Sequence, residues 1–236
     1  MEATTYEIRS VAENVWAIKD SGFVTSFLIV GENAALLVDA GGALTDIKGE
    51  VTKLTDKPVT LVLTHSHGDH VVCIDQFDEA WAGAEDIPAI IKSRDPKHCK
   101  LIPLEEGQLF DLGGRTVKAM SIKGHSPGGF AYLDVENRLL FSGDTINLGP
   151  IYLFGDGTSL DVLISELERY AKMDCFDLIF PAHNINPIEK NRINDILDCC
   201  YSIKDGSVEG VDMPEDSPLH GVCRLFSKNG CGLYLK

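Results

Sequence analysis

The stretch Val59-Thr60-Leu61-Val62-Leu63 runs directly into Thr64-His65-Ser66-His67-Gly68-Asp69-His70. Five apolar or β-branched residues in succession read as a buried strand. Immediately after them, His65, His67, Asp69 and His70 fall within six residues. Imidazole nitrogen and carboxylate oxygen are natural ligands for zinc and related divalent ions. In a segment leaving a strand, His65 and His67 stand two apart and can point the same way. Asp69 and His70 follow the turn and can face a second point in space. One short loop can therefore serve two metals. A single loop histidine is ordinarily a solvated polar residue, but three crowded imidazoles add nothing to folding stability unless something binds or neutralises them.

Three further strands end in a possible ligand. Arg115 to Ile122 leads into Gly124-His125-Ser126-Pro127-Gly128-Gly129, Arg138 to Phe141 into Ser142-Gly143-Asp144-Thr145, and Leu178 to Phe180 into Pro181-Ala182-His183-Asn184. Taken singly, His125, Asp144 and His183 are unremarkable loop residues. Together they stand where the ends of neighbouring strands can meet at one rim of a sheet. His98 and His220 have no such setting and read as surface or structural residues.

Outward from these loops, strands are expected at Tyr6 to Arg9, Val15 to Lys19, Phe23 to Val30 and Ala34 to Val38, the last two joined across Gly31-Glu32-Asn33. Apolar residues at Leu44, Ile47, Val51 and Leu54 have helical spacing, closed by Lys57-Pro58. Val71 to Phe77 reads as a short helix and Ala89 to Lys92 as a strand, within an ill-defined stretch from Ala80 to Leu104. Phe130 to Asp134 and Arg138 to Phe141 make a hairpin around Glu136-Asn137. Leu160 to Ala171 and Pro187 to Ile203 are helices, and Gly221 to Lys236 supplies one or two closing strands. Two mixed blocks, each feeding histidine-bearing loops, fit an α/β (α+β) architecture of two sheets flanked by helices. We expect one domain over residues 1–236, with 186–236 as a helix plus closing strands.

A length of 236 residues suits one large domain. With 44% hydrophobic and 24% charged residues, the chain has an ordinary globular composition. No apolar run is long enough to span a bilayer, and Met1 to Glu7 lacks the basic and apolar regions of a signal peptide, so the cytoplasm is the simplest address. Seven scattered cysteines without a CxxC pair read as reduced thiols. A net charge of −15 repels phosphate backbones and anionic membranes, so neither nucleic acid nor a membrane is expected as partner. A small-molecule substrate is expected; a dimetal site can attract an anionic group despite that charge. Monomer and homodimer are both compatible with the sequence.

The order HxHxDH, then His, then Asp, then His, in these local contexts, resembles the metallo-β-lactamase superfamily of metallohydrolases over about Asn14 to Asn184. The resemblance implies a four-layer αβ/βα sandwich with the site at the edge between the sheets. It implies His65, His67 and His125 as ligands of one metal, Asp69, His70 and His183 as ligands of the other, and Asp144 as bridge. Asp39, in Leu36-Leu37-Val38-Asp39-Ala40-Gly41, matches the first family motif and is expected to orient the ligands from behind, or else simply to form a turn. Two divalent ions follow, zinc first, although the same ligands would hold iron or manganese. A hydroxide bridging the two metals is the expected nucleophile, with Asp69 and Asp144 as catalytic residues.

The branch rests on variable positions. β-Lactamases of the family usually have cysteine or serine where this chain has Asp144, and its diiron flavoproteins usually replace the second histidine with glutamate. HxHxDH plus aspartate looks like the branch of hydroxyacylglutathione hydrolases (glyoxalase II), acyl-lactone hydrolases, thioesterases and phosphodiesterases. Thioester or ester hydrolysis of a small substrate is favoured, with lactonase and phosphodiesterase or nuclease as alternatives, and β-lactamase or non-catalytic metal binding behind them. Asn147, Tyr152 and Phe154 are the candidate pocket residues, in a segment that could equally pack on the core.

Overall fold

The computed structural model describes residues 6–20, 24–43 and 45–236. A first sheet holds β1 (Glu7–Ala12), β2 (Val15–Lys19), β3 (Thr25–Val30), β4 (Ala35–Val38), β5 (Val59–Val62), β6 (Glu79–Gly83) and β7 (Lys100–Leu104), paired in that order. Its first four strands form an antiparallel meander, and the pairs from β4 to β7 are parallel. A second sheet contains β8 (Leu109–Asp111), β9 (Thr116–Ser121), β10 (Phe130–Asp134) and β11 (Leu139–Gly143). After β12 (Ile151–Leu153), which belongs elsewhere, β13 (Leu178–Pro181) and β14 (Ile188–Glu189) complete it in the order β14-β13-β11-β10-β9-β8. A third sheet joins β12 to β17 (Cys231–Leu235), β16 (Arg224–Lys228) and β15 (Val211–Asp212). The helices are α1 (Ile47–Leu54), α2 (Ile87–Arg94), α3 (Leu160–Ala171) and α4 (Arg192–Lys204).

Strand alternation explains the layers. In β3 and β4, Phe27, Ile29, Leu36 and Val38 meet Phe130, Tyr132, Phe141 and Phe180 between the two sheets. The alternate residues Leu28, Val30, Ala35 and Leu37 pack with Ile47 and Val51 of α1 and Ile90 of α2. On the far side, Ala131, Leu133, Leu140 and Ile179 face Leu163, Leu167 and Tyr170 of α3 and Ile193, Ile196 and Leu197 of α4. Central strands are thus apolar on both faces, which is why they read as continuous hydrophobic runs. Each such side chain, fully buried, contributes roughly 1.5–3 kcal/mol. The result is helices, sheet, sheet, helices, with the third sheet resting on the α3–α4 layer through Ile151, Leu153 and Leu233.

Several local expectations are corrected. Residues 89–92, expected as a strand, lie inside α2, because Ile87, Ile90 and Ile91 are spaced for a helix whose one buried position is Ile90. Val71 to Phe77 is not a helix; two 3-10 turns, Gly68–His70 and Ile74–Gln76, flank that start. The helix expected from Pro187 begins at Arg192, since Ile188 and Glu189 pair with β13. Strands β6, β7, β8, β12 and β15 were not foreseen. Phe23 and Leu44, where a strand and a helix were expected to start, and residues 1–5 lie outside the described residues. All seven cysteines are free. No helix among the described residues is long and apolar enough to cross a membrane.

Candidate metal centre

Four loops at the carboxyl ends of β5, β9, β11 and β13 converge. The β5 loop is held from behind by Asp39, which leaves β4 with a left-handed φ of 66°. Asp39 Oδ1 accepts from the Thr64 amide at 2.7 Å, and Oδ2 accepts from the Thr64 hydroxyl at 2.8 Å and lies 2.7 Å from His70 Nδ1. His70 Nδ1 therefore carries the proton, and Nε2 is turned to the site. The Thr64 hydroxyl, having given its proton to Asp39, accepts from His65 Nδ1 at 3.0 Å, so His65 also presents Nε2. His125 Nδ1 donates to the Tyr152 carbonyl at 2.8 Å with the same consequence. One buried carboxylate, 1% exposed, thus sets two rings, and the main chain of β12 sets a third.

These bonds leave the Nε2 atoms of His65 and His125 only 3.2 Å apart, each with an outward lone pair. Two lone pairs repel at that distance unless a cation or proton stands between them. His67 packs its ring 4.6 Å from that of His65 and 4.7 Å from that of His125. Asp144 completes this group, Oδ2 lying 4.0 Å from His65 Nε2 and 3.7 Å from His125 Nε2. Its other oxygen, Oδ1, lies 3.4 Å from His70 Nε2. Oδ2 is also 3.3 Å from His183 Nε2, and Asp69 Oδ2 is 3.1 Å from the same nitrogen and 3.6 Å from His70 Nε2. The ligand atoms of His65, His67, His125 and Asp144 lie within 4.8 Å of one another, and so do those of Asp69, His70 and His183.

Electrostatics divide the histidines. Burial pushes His65 and His67 down and takes His125 to about 4, so all three are neutral at pH 7. Burial acts the same way on His70, but Asp144 and Asp39 outweigh it and raise its pKa well above the usual range. His183 is likewise penalised by burial, yet its bonds to Asp144 and Asp69 raise it to about 10. Burial opposes ionisation of Asp144 and Asp69 as well. His70 and His183 overcome this at Asp144, and His183 and His70 at Asp69, so both carboxylates stay ionised. His70 Nε2 and Asp144 Oδ1 are buried without a hydrogen bond. Three neutral imidazoles, two ionised carboxylates and buried unbonded donor atoms form a ligand set that divalent cations fit, once the protons of His70 and His183 are displaced.

Other groups pack the loops together. Buried Asp86, between β6 and α2, accepts from the Ser66 amide and the Gly128 amide, both at 2.9 Å, and so joins the β5 loop to the His125 loop. Gly143 has φ 56°, and a Cβ there would come within 2.8 Å of Thr64 Cβ, so only glycine lets β11 deliver Asp144 this close to the β5 loop. Asn147 Nδ2 donates to the Asp144 carbonyl at 2.8 Å. A cavity of about 410 Å³ opens beside the cluster, lined by His67, Asp69, His125, Asp144, Asn147, Tyr152, His183, Asn184 and Tyr234 among others. All seven expected ligands and Asp39 come together, and Asn147 and Tyr152 line the cavity. Phe154 packs against Tyr152, ring centroids 5.5 Å apart, without lining it. His98 and His220 are exposed and stand outside the cluster. Sequence reasoning passed over Thr64, Asp86, Asn184 and Tyr234; none carries a local pattern that marks it.

Residues 20–183 match the metallo-beta-lactamase superfamily. The chain belongs to that superfamily. Among curated members, a probable polyketide biosynthesis zinc-dependent hydrolase of Bacillus velezensis is 24% identical over 198 residues, covering 82% of this chain and 85% of the relative. A hydroxyacylglutathione hydrolase of Prochlorococcus marinus is 29% identical over 126 residues, covering 52% of this chain; the chain spans half of that relative's length. Among solved superfamily folds, a metallo-beta-lactamase from Pontibacter korlensis superposes with a TM-score of 0.68 at 15% identity, over 84% of this chain and 99% of its own. The αβ/βα architecture and the kinship with glyoxalase II-type hydrolases expected from the motifs both hold, and the chain is a metallo-beta-lactamase-fold hydrolase with a His/Asp metal-binding cluster.

Proposed function

We propose that this protein is a dinuclear metal-dependent hydrolase that cleaves the thioester, or ester, of a small substrate. The observation that carries the reading is Asp144: one oxygen faces His70 and the other faces His65, His125 and His183, so a single carboxylate belongs to both ligand groups. On this reading His65, His67 and His125 hold one ion, Asp69, His70 and His183 the other, Asp144 both, and Asp39 fixes the rings from behind. Zinc is the proposed ion, in keeping with the zinc-dependent relative. Divalent ions so held supply Lewis acidity and bring the pKa of water near neutrality.

The chain's own groups do the rest. Asp69 is ionised and its side chain is 40% exposed toward the cavity, so it can accept a proton from water and orient it toward the acyl carbon. As the new C–O bond forms and the C–S bond breaks, that proton passes to the departing thiolate. Thioester is favoured over phosphodiester because a relative is named for hydrolysing an acylglutathione and the net charge is −15. A second reading, lactone hydrolysis, is supported by Tyr152, whose phenol stays protonated in the cavity wall and can donate to a lactone carbonyl. Metal analysis of protein purified without added metal, with a hydrolysis screen over thioester, lactone, β-lactam and bis-p-nitrophenyl phosphate, tests both. About two ions per chain and preferred thioester turnover are expected. No bound metal, and no turnover after adding zinc, manganese or iron, would overturn the reading.

A further inference from the structure

Part of the cavity wall is lined from β17, a strand beyond the family match. β12 and β17 pair in parallel with Tyr152 beside Tyr234, and their ring centroids lie 4.8 Å apart at 59°. In β12, Ile151 is 1% and Leu153 5% exposed, whereas Tyr152 is 42% exposed, so strand alternation turns its ring out of the core. Both tyrosines line the cavity that His67, His125 and Asp144 line. The pair is also fixed in place. The Arg192 guanidinium donates to the Asn147 carbonyl at 3.1 Å and to the Leu148 and Gly230 carbonyls at 2.9 Å each, pinning the entries to both strands. The Tyr152 carbonyl meanwhile orients His125. The residue that aims the His125 ring with its main chain therefore offers its own ring to whatever occupies the cavity.

We infer that Tyr152 and Tyr234 form an acyl-binding wall that selects substrates whose acyl group ends in a flat, uncharged aromatic ring. This rests on the hydrolase reading above and names its substrate class. Two phenol rings held at a fixed angle offer a third ring stacked and edge-on contacts, worth more than the same area of aliphatic surface. A benzene ring fits a cavity of about 150 Å³. The roughly 410 Å³ here holds an aryl acyl group with room for the start of a thiol leaving group. No lysine or arginine lines the cavity among the described residues, so away from the ligand cluster and His183 a carboxylate at the far end of the acyl group would meet no cationic side chain.

The test separates binding from turnover. S-benzoyl and S-acetyl N-acetylcysteamine serve as substrates, and ketone analogues with methylene in place of sulfur, which cannot be hydrolysed, serve as binding probes by calorimetry on zinc-loaded protein. The wild type is expected to bind the benzoyl ketone about tenfold more tightly than the acetyl ketone. That ratio is expected to fall to about twofold in Tyr234→Ala and to persist in Tyr234→Phe, with metal content retained. Equal binding of the two ketones by the wild type, or an undiminished ratio in folded Tyr234→Ala, would overturn the inference. If the ratio behaves as expected but neither thioester is cleaved, the aromatic wall stands and the thioester reading alone fails.

Discussion

Asp39 shows how much a single side chain can decide. Its two oxygens take three hydrogen bonds, from the Thr64 amide, the Thr64 hydroxyl and His70 Nδ1, and through Thr64 it also sets His65. In Asp39→Asn the amide group turns donor hydrogens toward donors, so at least one of these bonds is lost. Metal affinity is expected to fall about 10- to 100-fold, read by competition with a chromophoric chelator. The protonation states carry their own expectation. His65, His67 and His125 are pushed down and already neutral at pH 7, so binding an ion among them releases few protons. His70 is raised, and His183 is raised to about 10, so an ion must displace their protons, and its affinity rises with pH up to about 10. Zinc titrations of the metal-free protein in buffers of different ionisation enthalpy are expected to show proton release concentrated in one of two binding phases. Equal release in both would sink the division.

Between elements, the site depends on joints that are polar and buried. Asp86, fully buried, satisfies one amide from each of two ligand loops that start on different sheets. Removing it in Asp86→Ala leaves the buried Gly128 N–H and the half-buried Ser66 N–H without a partner, the first at about 1–3 kcal/mol and the second at less. A loss of about 2–5 kcal/mol in urea unfolding is expected, with weaker metal retention even in the folded fraction. Helix α3 shows a local signal that worked. Ser159 caps it by accepting from the Val162 amide at 3.3 Å, and Leu163, Leu167 and Tyr170 repeat at helical spacing on its buried face, so its limits could be read directly. Helix α2 shows the opposite. Only Ile90 of its eight residues is buried, so the stripe of Ile87, Ile90 and Ile91 is short, and the adjacent β-branched pair Ile90-Ile91 imitates a strand.

At the scale of the whole molecule, seven side chains that could hold a metal are forced together at the mouth of a two-sheet sandwich, with carboxylates and imidazoles in mutual contact. A bound ion adds stability according to its concentration relative to its Kd, about 4 kcal/mol at a thousandfold excess. For a chain of this size that corresponds to roughly 8–16 °C in Tm. Scanning calorimetry is expected to show a fall of that order when a chelator strips the protein, and recovery on adding zinc back. An unchanged Tm would indicate that no ion is held by the folded state.

The sequence by itself determined which side chains gather at the site and the order of the layers. A metal ligand must bring its own donor atom, so His65, His67, Asp69, His70, His125, Asp144 and His183 declare themselves by residue type at the ends of apolar runs. Those runs declare the two-sided burial of the central strands, because both faces must be apolar. Asp39 was expected behind the ligands from its motif, but only the tertiary structure decided which other groups stand there and which line the cavity beside them. Asp86 reaches Gly128 across 42 positions, and Tyr234 lies against Tyr152 from the end of the chain. A supporting group needs only the right place in space, which many residue types and the backbone itself can occupy. Place in space is fixed by how sheets and helices pack, and no local pattern encodes it.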